Sequence, residues 1–261
     1  MPLLSYRIAF TSKLWKLTYI AGLSGPLLAA LLVSFAIGGR TAAEALLKQG
    51  LIWKLKSRWY FAALALPPFL MMGGWYMAAS IGQTHPEWEM PSLSLLPLTF
   101  LIMVLRGGPL NEEFGWRGFL LPKLLERFSP FEASLIVAPI WTVWHLPLWF
   151  LPGVPHKYWP FGLFALLIVP ITFLFTWLYC RSKGSVLIAI LFHASFNTAI
   201  HYLPLLPPRH SSLVPFKMWV GLAWVLTALI VAKDSKVWFG QPAPKPKALL
   251  KGSAPSLVYH R

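Results

Sequence analysis

Apolar runs long enough to cross a bilayer follow one another along most of this 261-residue chain. Crossing about 30 Å of hydrocarbon takes roughly 20 residues of helix, so each such run reads as a membrane helix. The runs fall at 15–38, 59–81, 92–105, 111–127, 131–151, 158–180, 184–202 and 214–232, with short connections between them. This predicts an all-α fold, a polytopic transmembrane bundle of about eight helices, with a polar intramembrane cavity for reasons given below. The first run, interrupted by Gly22, Gly25 and Pro26, is too long for the apolar core of a secretory signal. No small-residue cleavage site follows it, so it is expected to be retained. One transmembrane domain, 1–238, is expected to be followed by a disordered basic tail, 239–261, rich in Pro, Lys and Ala. No second soluble domain and no internal repeat is visible.

Composition agrees with lipid as the solvent. The chain is 57% hydrophobic and 12% charged, and its 14 Trp and eight Tyr, many near the ends of apolar runs, suit the belts at the headgroup boundary. The formal charge of +15 would suggest nucleic acid in a soluble protein. Here the cations cluster in the N-terminal segment, in 40–58 and in the tail, where anionic headgroups are the natural partner, and nucleic acid is not expected. With eight spans both termini share a side, and about 13 Lys and Arg on that side against about eight on the other leave the orientation open. The stretch 40–58 suits an interfacial amphipathic helix, or else a re-entrant first run. Cys180 is the sole cysteine, which excludes disulfides within the chain and thiolate metal cages.

A few polar residues interrupt this pattern. Glu112, Glu113 and Arg117 lie in the apolar setting GPLNEEFGWRGFLLPKLL. Each charge at membrane depth costs ~2.5 to 3.5 kcal/mol, so the three have to face the protein interior or water. On a helix Glu113 and Arg117, four apart, share a face and can pair, whereas Glu112 is turned about 100° away and is left for chemistry. A purely structural ion-pair knot would use the same three residues. His145 ends the segment WTVWH, where packing is the bland account. His193 and Asn197, four apart in LIAILFHASFNTAI, share one helix face and a common polar target, or bond a neighbouring helix.

A carboxylate, two imidazoles and an amide on three inward-facing segments make a set that peptide hydrolysis requires. A carboxylate with an imidazole can deprotonate water, and donors opposite can bind the oxyanion. No rival nucleophile is well placed: Ser195 points to another face, GxSxG and HExxH are absent, and Cys180 has no paired histidine.

These residues, in order and spacing, resemble the CPBP family of intramembrane proteases, which includes the CAAX prenyl endopeptidases and the Abi proteins. Glu112 to Arg117 is an EExxxR motif followed by Gly118, Trp141 to His145 stands where FxxxH belongs, and His193 to Asn197 matches HxxxN. The resemblance covers 111–197, the motif core. It implies an intramembrane endopeptidase in which Glu112 and His145 activate water, His193 and Asn197 stabilise the oxyanion, and Glu113 with Arg117 forms the supporting pair. Trp141 departs from the usual Phe, which keeps an aromatic and alters packing. Glu112, His145 and His193 could alternatively bind a divalent ion such as Zn²⁺ with an open position. Asn197 is a poor zinc ligand and a better oxyanion donor, so no required metal is expected. The expected substrate is a peptide or membrane protein, prenylated or otherwise lipidated in some relatives, and the expected setting is a bacterial or archaeal cell membrane. A transporter or proton relay would also bury Glu, Arg and His, and a catalytically silent scaffold or immunity protein would keep them for packing alone.

Overall fold

The computed structural model describes residues 13–83, 90–151, 155–203, 205 and 212–240, and helix and turn are the only regular structure among them. The first helix, α1 (Lys13–Lys48), breaks at Gly38 and Gly39, the latter in the left-handed region at φ +62°, where the sequence run ends. Beyond the break Arg40 donates to Glu44 at 2.7 Å, both exposed, and helix continues only to Lys48, so the helix expected over 40–58 is shorter. After a 3₁₀ turn (Gln49–Leu51) comes α2 (Ser57–Ser80).

Next is a span that changes direction. α3 (Leu96–Arg106) stops at Gly107, and the chain resumes as α4 (Pro109–Gly115), a π-helical turn (Trp116–Leu120) and α5 (Leu121–Leu125). The two arms are bent by 44°. Two local features force the break: Gly108 sits at φ +101°, a conformation that disfavours any Cβ, and Pro109 has no N–H to continue the ladder. The remaining helices are α6 (Pro130–His145), extended by a 3₁₀ turn (Leu146–Phe150), α7 (Phe161–Arg181), α8 (Val186–Tyr202), α9 (Val214–Lys233) and the short α10 (Ser235–Trp238). α6 starts at a full capping box. The Ser129 N–H donates to Glu132 at 2.8 Å and the Glu132 N–H returns to Ser129 Oγ at 3.3 Å, with Pro130 in the first turn. Ser185 Oγ caps α8 by accepting from the Ile188 N–H at 3.3 Å.

Burial is inverted relative to a water-soluble protein. Leu32, Phe35, Ile37, Phe61 and Leu229 are exposed on the outside, whereas Glu113, Arg117, Ser134 and Thr176 are closed within. Five helices are long and apolar enough to cross a membrane, and the bent pair makes a sixth. α8, a shorter apolar helix of 17 residues, is mostly buried. The eight predicted runs are all present as helical elements, and 92–105 and 111–127 are joined at the 44° bend. Hydropathy scores each arm alone and does not register that Gly107–Gly108–Pro109 bends the path without reversing it.

The two ends of the bundle are distinct. At one, the α1–α2 end, Ser185 donates to the Ile52 carbonyl at 2.7 Å and Arg181 pairs with Asp234 at 2.5 Å. At the other, the α8–α9 end, Trp149 donates to the Trp159 carbonyl at 2.8 Å and Ser212 to Gln83 at 3.0 Å. Phe239, placed in the tail by sequence, packs on Phe131 with ring centroids 4.8 Å apart, so ordered packing runs past position 238. Residues 241–261, the rest of that tail, lie outside the described residues.

Candidate active site

The broken span makes the site. A helix continuing through 107 and 108 would use up the Gly107 carbonyl; at the break it accepts from Asn197 Nδ2 of α8 at 3.0 Å. Glu112, one turn into the second arm, folds its carboxylate back toward Gly108, where a Cβ would collide with it. Asn111 Nδ2 reaches Ser24 of α1 at 3.5 Å. The following π-helical turn carries Arg117, and the Gly118 carbonyl in it accepts from Gln49 at 2.9 Å. Single π turns of this kind recur at functional sites.

Glu113 is the most enclosed charge, with no exposed surface. Arg117 Nη1 donates to its two oxygens at 2.9 and 3.0 Å, the i to i+4 pair expected from spacing. His193 Nδ1 adds a third contact, to Glu113 Oε1 at 2.7 Å. The guanidinium of Arg117 also lies over the rings of Phe175 and Trp141, at 3.5 and 4.3 Å from their centroids. Such faces attract a cation in place of lost hydration, which matters because Arg117 Nη2 is buried without a hydrogen-bond partner.

Glu112 and His145 are joined through Trp141. The indole Nε1 donates to Glu112 Oε2 at 3.3 Å, and the Trp141 carbonyl faces His145 Nδ1 at 2.7 Å. A carbonyl can only accept, so Nδ1 of His145 carries the proton and Nε2 keeps its lone pair in the neutral ring. His193 is constrained alike, since Nδ1 faces a carboxylate. The Trp141 ring stands edge-on to both imidazoles, with centroids 5.4 Å from His145 and 5.8 Å from His193. The residue that looked like a variant packing aromatic thus touches Glu112, Arg117 and both histidines.

The structure therefore gathers Glu112, Glu113, Arg117, His145 and His193 around one indole, with Asn197 on the adjoining break. It does not give His193 and Asn197 a common partner, for one holds Glu113 and the other Gly107. The polar groups are packed on each other. The cavity of about 350 Å³ beside them, between α1, the π turn and α6, is lined by apolar residues such as Ala29, Val33, Phe119 and Trp144. Among the described residues no three His, Cys, Asp or Glu side chains are grouped so as to hold a metal ion.

Residues 94–199 match the family model for type II CAAX prenyl endopeptidases, Rce1-like. Over that segment the chain is similar to the Rce1-like endopeptidases. CAAX prenyl protease 2 of Methanococcus maripaludis is 29% identical over 156 residues, which are 57% of this chain and 54% of that protein. The chain thus spans about half the length of that curated relative. The Rce1-like segment runs from the approach to α3 through most of α8 and contains every side chain of the cluster, including the Gly107–Gly108–Pro109 break.

Sequence reasoning missed three contributors: the break itself, the donor on Trp141, and His156 between α6 and α7. The His156 ring stacks near His145 at 6.5 Å and its Nδ1 is buried without a partner. Burial pushes its pKa down to about 3, so the ring stays neutral through the physiological range. The donor on Trp141 gives a direct test in the Rce1-like core. Trp141→Phe, which restores the ring type of the motif, removes one hydrogen bond to a charged group, worth ~1.5 to 3 kcal/mol. We expect turnover to fall about 10-fold or more and the thermal midpoint to drop by several degrees; an unaltered rate constant would show that the indole N–H only packs.

Proposed function

We propose that this chain is an intramembrane endopeptidase that hydrolyses a peptide bond with a water activated by Glu112 and His145. The observation that carries this reading is the tautomer imposed on His145: its Nδ1 is occupied by the Trp141 carbonyl, which leaves the Nε2 lone pair to accept a proton beside the carboxylate held by the same tryptophan. In the reaction, the water oxygen attacks the scissile carbonyl carbon while its proton passes to the Glu112–His145 pair. The C–N bond then breaks, and that proton leaves with the amine. His193 and Asn197 face the negative oxygen formed in between. An amide nitrogen has two hydrogens, and Asn197 uses one on Gly107. His193 donates from Nε2 only as the doubly protonated ring. In that state the charges of Glu112, Glu113, Arg117 and His193 sum to zero, which suits a site of low dielectric.

The substrate we propose is a peptide or a segment of a membrane protein. The archaeal relative's name points to prenylated CAAX ends, so a lipid-modified peptide belongs to this class. The setting we propose is a bacterial or archaeal cell membrane. We propose that the activity requires no metal: the donors that activate water and bind the oxyanion are all supplied by the chain, and activity retained after exhaustive chelation is the expected result. Turnover of a candidate peptide by purified protein in detergent or lipid tests the whole scheme. His193→Ala and Asn197→Ala should each lower kcat by ~10² to 10³ fold, the effect of losing one oxyanion donor. Rates within a few fold of wild type in both variants would remove the oxyanion assignment.

A further inference from the structure

We infer that Gln49 is a positioning residue for the catalytic cluster: its side-chain amide replaces a backbone donor that Pro122 lacks, and so holds the π-helical turn from which Arg117 reaches Glu113. What Gln49 does to the turn stands on packing alone; what it does to the rate rests on the endopeptidase reading above.

The reason lies four residues past Gly118. In an α-helix the Gly118 carbonyl accepts from the N–H of residue 122, which is proline and has none. A proline ring also crowds the carbonyl four residues before it, and the helix widens here: the Leu121 N–H bonds back to the Trp116 carbonyl, five residues away. The Gly118 carbonyl is left to a donor from elsewhere, and Gln49 Nε2 supplies it at 2.9 Å from 69 residues away in sequence. The Tyr179 hydroxyl donates to Gln49 Oε1 at 3.4 Å. Since a carbonyl only accepts and the hydroxyl donates, the two contacts together fix which way the amide faces.

Gln49 is itself firmly placed. It begins the 3₁₀ turn Gln49–Leu51, and the chain around that turn grips the motif segment at further points. Gly50 lies against the Phe114 ring, where a Cβ would come within 2.7 Å of Cζ, and Leu46 packs on Gly118, where a Cβ would come within 2.9 Å of its Cδ1. Just after the turn the Ile52 carbonyl accepts from Ser185, the N-cap of α8. Glu113 and Arg117 stand next to the two gripped residues, so a shift of Phe114 and Gly118 moves the buried pair. Gln49 and Gly50 lie outside residues 94–199, and the two hydrogen-bond partners of the Gln49 side chain, Gly118 and Tyr179, are not among the groups that meet the reacting atoms. The influence of Gln49 on the rate therefore passes through Arg117 to Glu113, and from Glu113 to His193, whose Nδ1 is 2.7 Å from the same carboxylate.

The test is Gln49→Met, which keeps the length of the side chain and removes the donor, in the full chain purified in detergent. Hydrogen exchange of the backbone amides in 116–121 should rise about 10-fold, with the amides of α9 unchanged, because a turn without its partner opens locally. On an internally quenched prenylated peptide ending in CAAX, kcat should fall about 10-fold, within the ~10² that a displacement of about 1 Å remote from the chemistry can cost, while KM stays within about 2-fold. In a Pro122→Ala background residue 122 has an N–H for the Gly118 carbonyl, and there the same substitution should change exchange and kcat by less than about 2-fold. Unchanged exchange in Gln49→Met overturns the inference, as does faster exchange with kcat at the wild-type value or with a change in KM alone. An equal loss in both backgrounds also overturns it, because Gln49 would then act by a route other than that carbonyl. If Gln49→Met alone does not fold, recovery of folded protein on adding Pro122→Ala supports the inference and no recovery overturns it. If the wild-type chain turns over no peptide, the endopeptidase reading fails by itself, and exchange in the two backgrounds still decides whether Gln49 holds the turn.

Discussion

Glu112→Gln should reduce peptide turnover by ~10² to 10⁴ fold, the contribution of a positioned general base, with no matching loss of folded protein. The substitution keeps the shape of the side chain, and its amide oxygen can still accept from the Trp141 indole that now holds Glu112 Oε2 at 3.3 Å. What it removes is the ability to take a proton from water. His145→Ala should act through the same step, because it deletes the Nε2 lone pair that the Nδ1 contact to the Trp141 carbonyl preserves. The measurement is kcat on a peptide substrate alongside the detergent-solubilised melting temperature. Near-wild-type kcat for Glu112→Gln sinks the mechanism, whereas loss of kcat and folding together reassigns Glu112 to structure.

Glu113 and Arg117 should behave in the opposite way, as residues whose loss is felt in stability before rate. Glu113→Ala strands a guanidinium that is 1% exposed and already has one nitrogen without a hydrogen bond. Breaking a buried pair by removing one partner costs ~3 to 5 kcal/mol, whereas replacing both by apolar side chains of similar volume is close to neutral. We therefore expect Glu113→Ala and Arg117→Ala each to lose most folded protein in detergent. Glu113→Leu combined with Arg117→Met should recover the fold while remaining inactive, because His193 loses its carboxylate partner at 2.7 Å. If the double variant is no more stable than either single one, the cost of the single variants does not come from an unpaired buried charge.

Much of this could be read from residue order alone, and the parts that could not have identifiable physical causes. The Glu113–Arg117 contact follows from helical spacing and from the cost of an unpaired charge in lipid, and the structure forms it even though a π turn begins between them. Glu112, turned to another direction, does meet a different partner. Trp141 was legible as an aromatic but not as a donor, because whether an indole N–H finds an acceptor depends on the neighbouring helix rather than on its own. The join between two of the predicted runs was not legible in the sequence. Gly107, Gly108 and Pro109 mark an end of helix in any local reading, and only tertiary packing decides whether the chain turns back there or bends by 44° and goes on. The shared target expected for His193 and Asn197 was likewise divided at that point, since the break offers a carbonyl one turn before the carboxylate.

The same tripeptide bears on how the protein is made. The 11 residues of α3 extend about 16 Å at 1.5 Å per residue, roughly half of what a bilayer core demands. A nascent chain halted just after Arg106 would offer the insertion machinery a stub that cannot reach the far leaflet. Stable integration has to await synthesis of the arm that carries the two glutamates, so the buried carboxylates enter lipid only as part of a unit in which Arg117 has already emerged to accompany them.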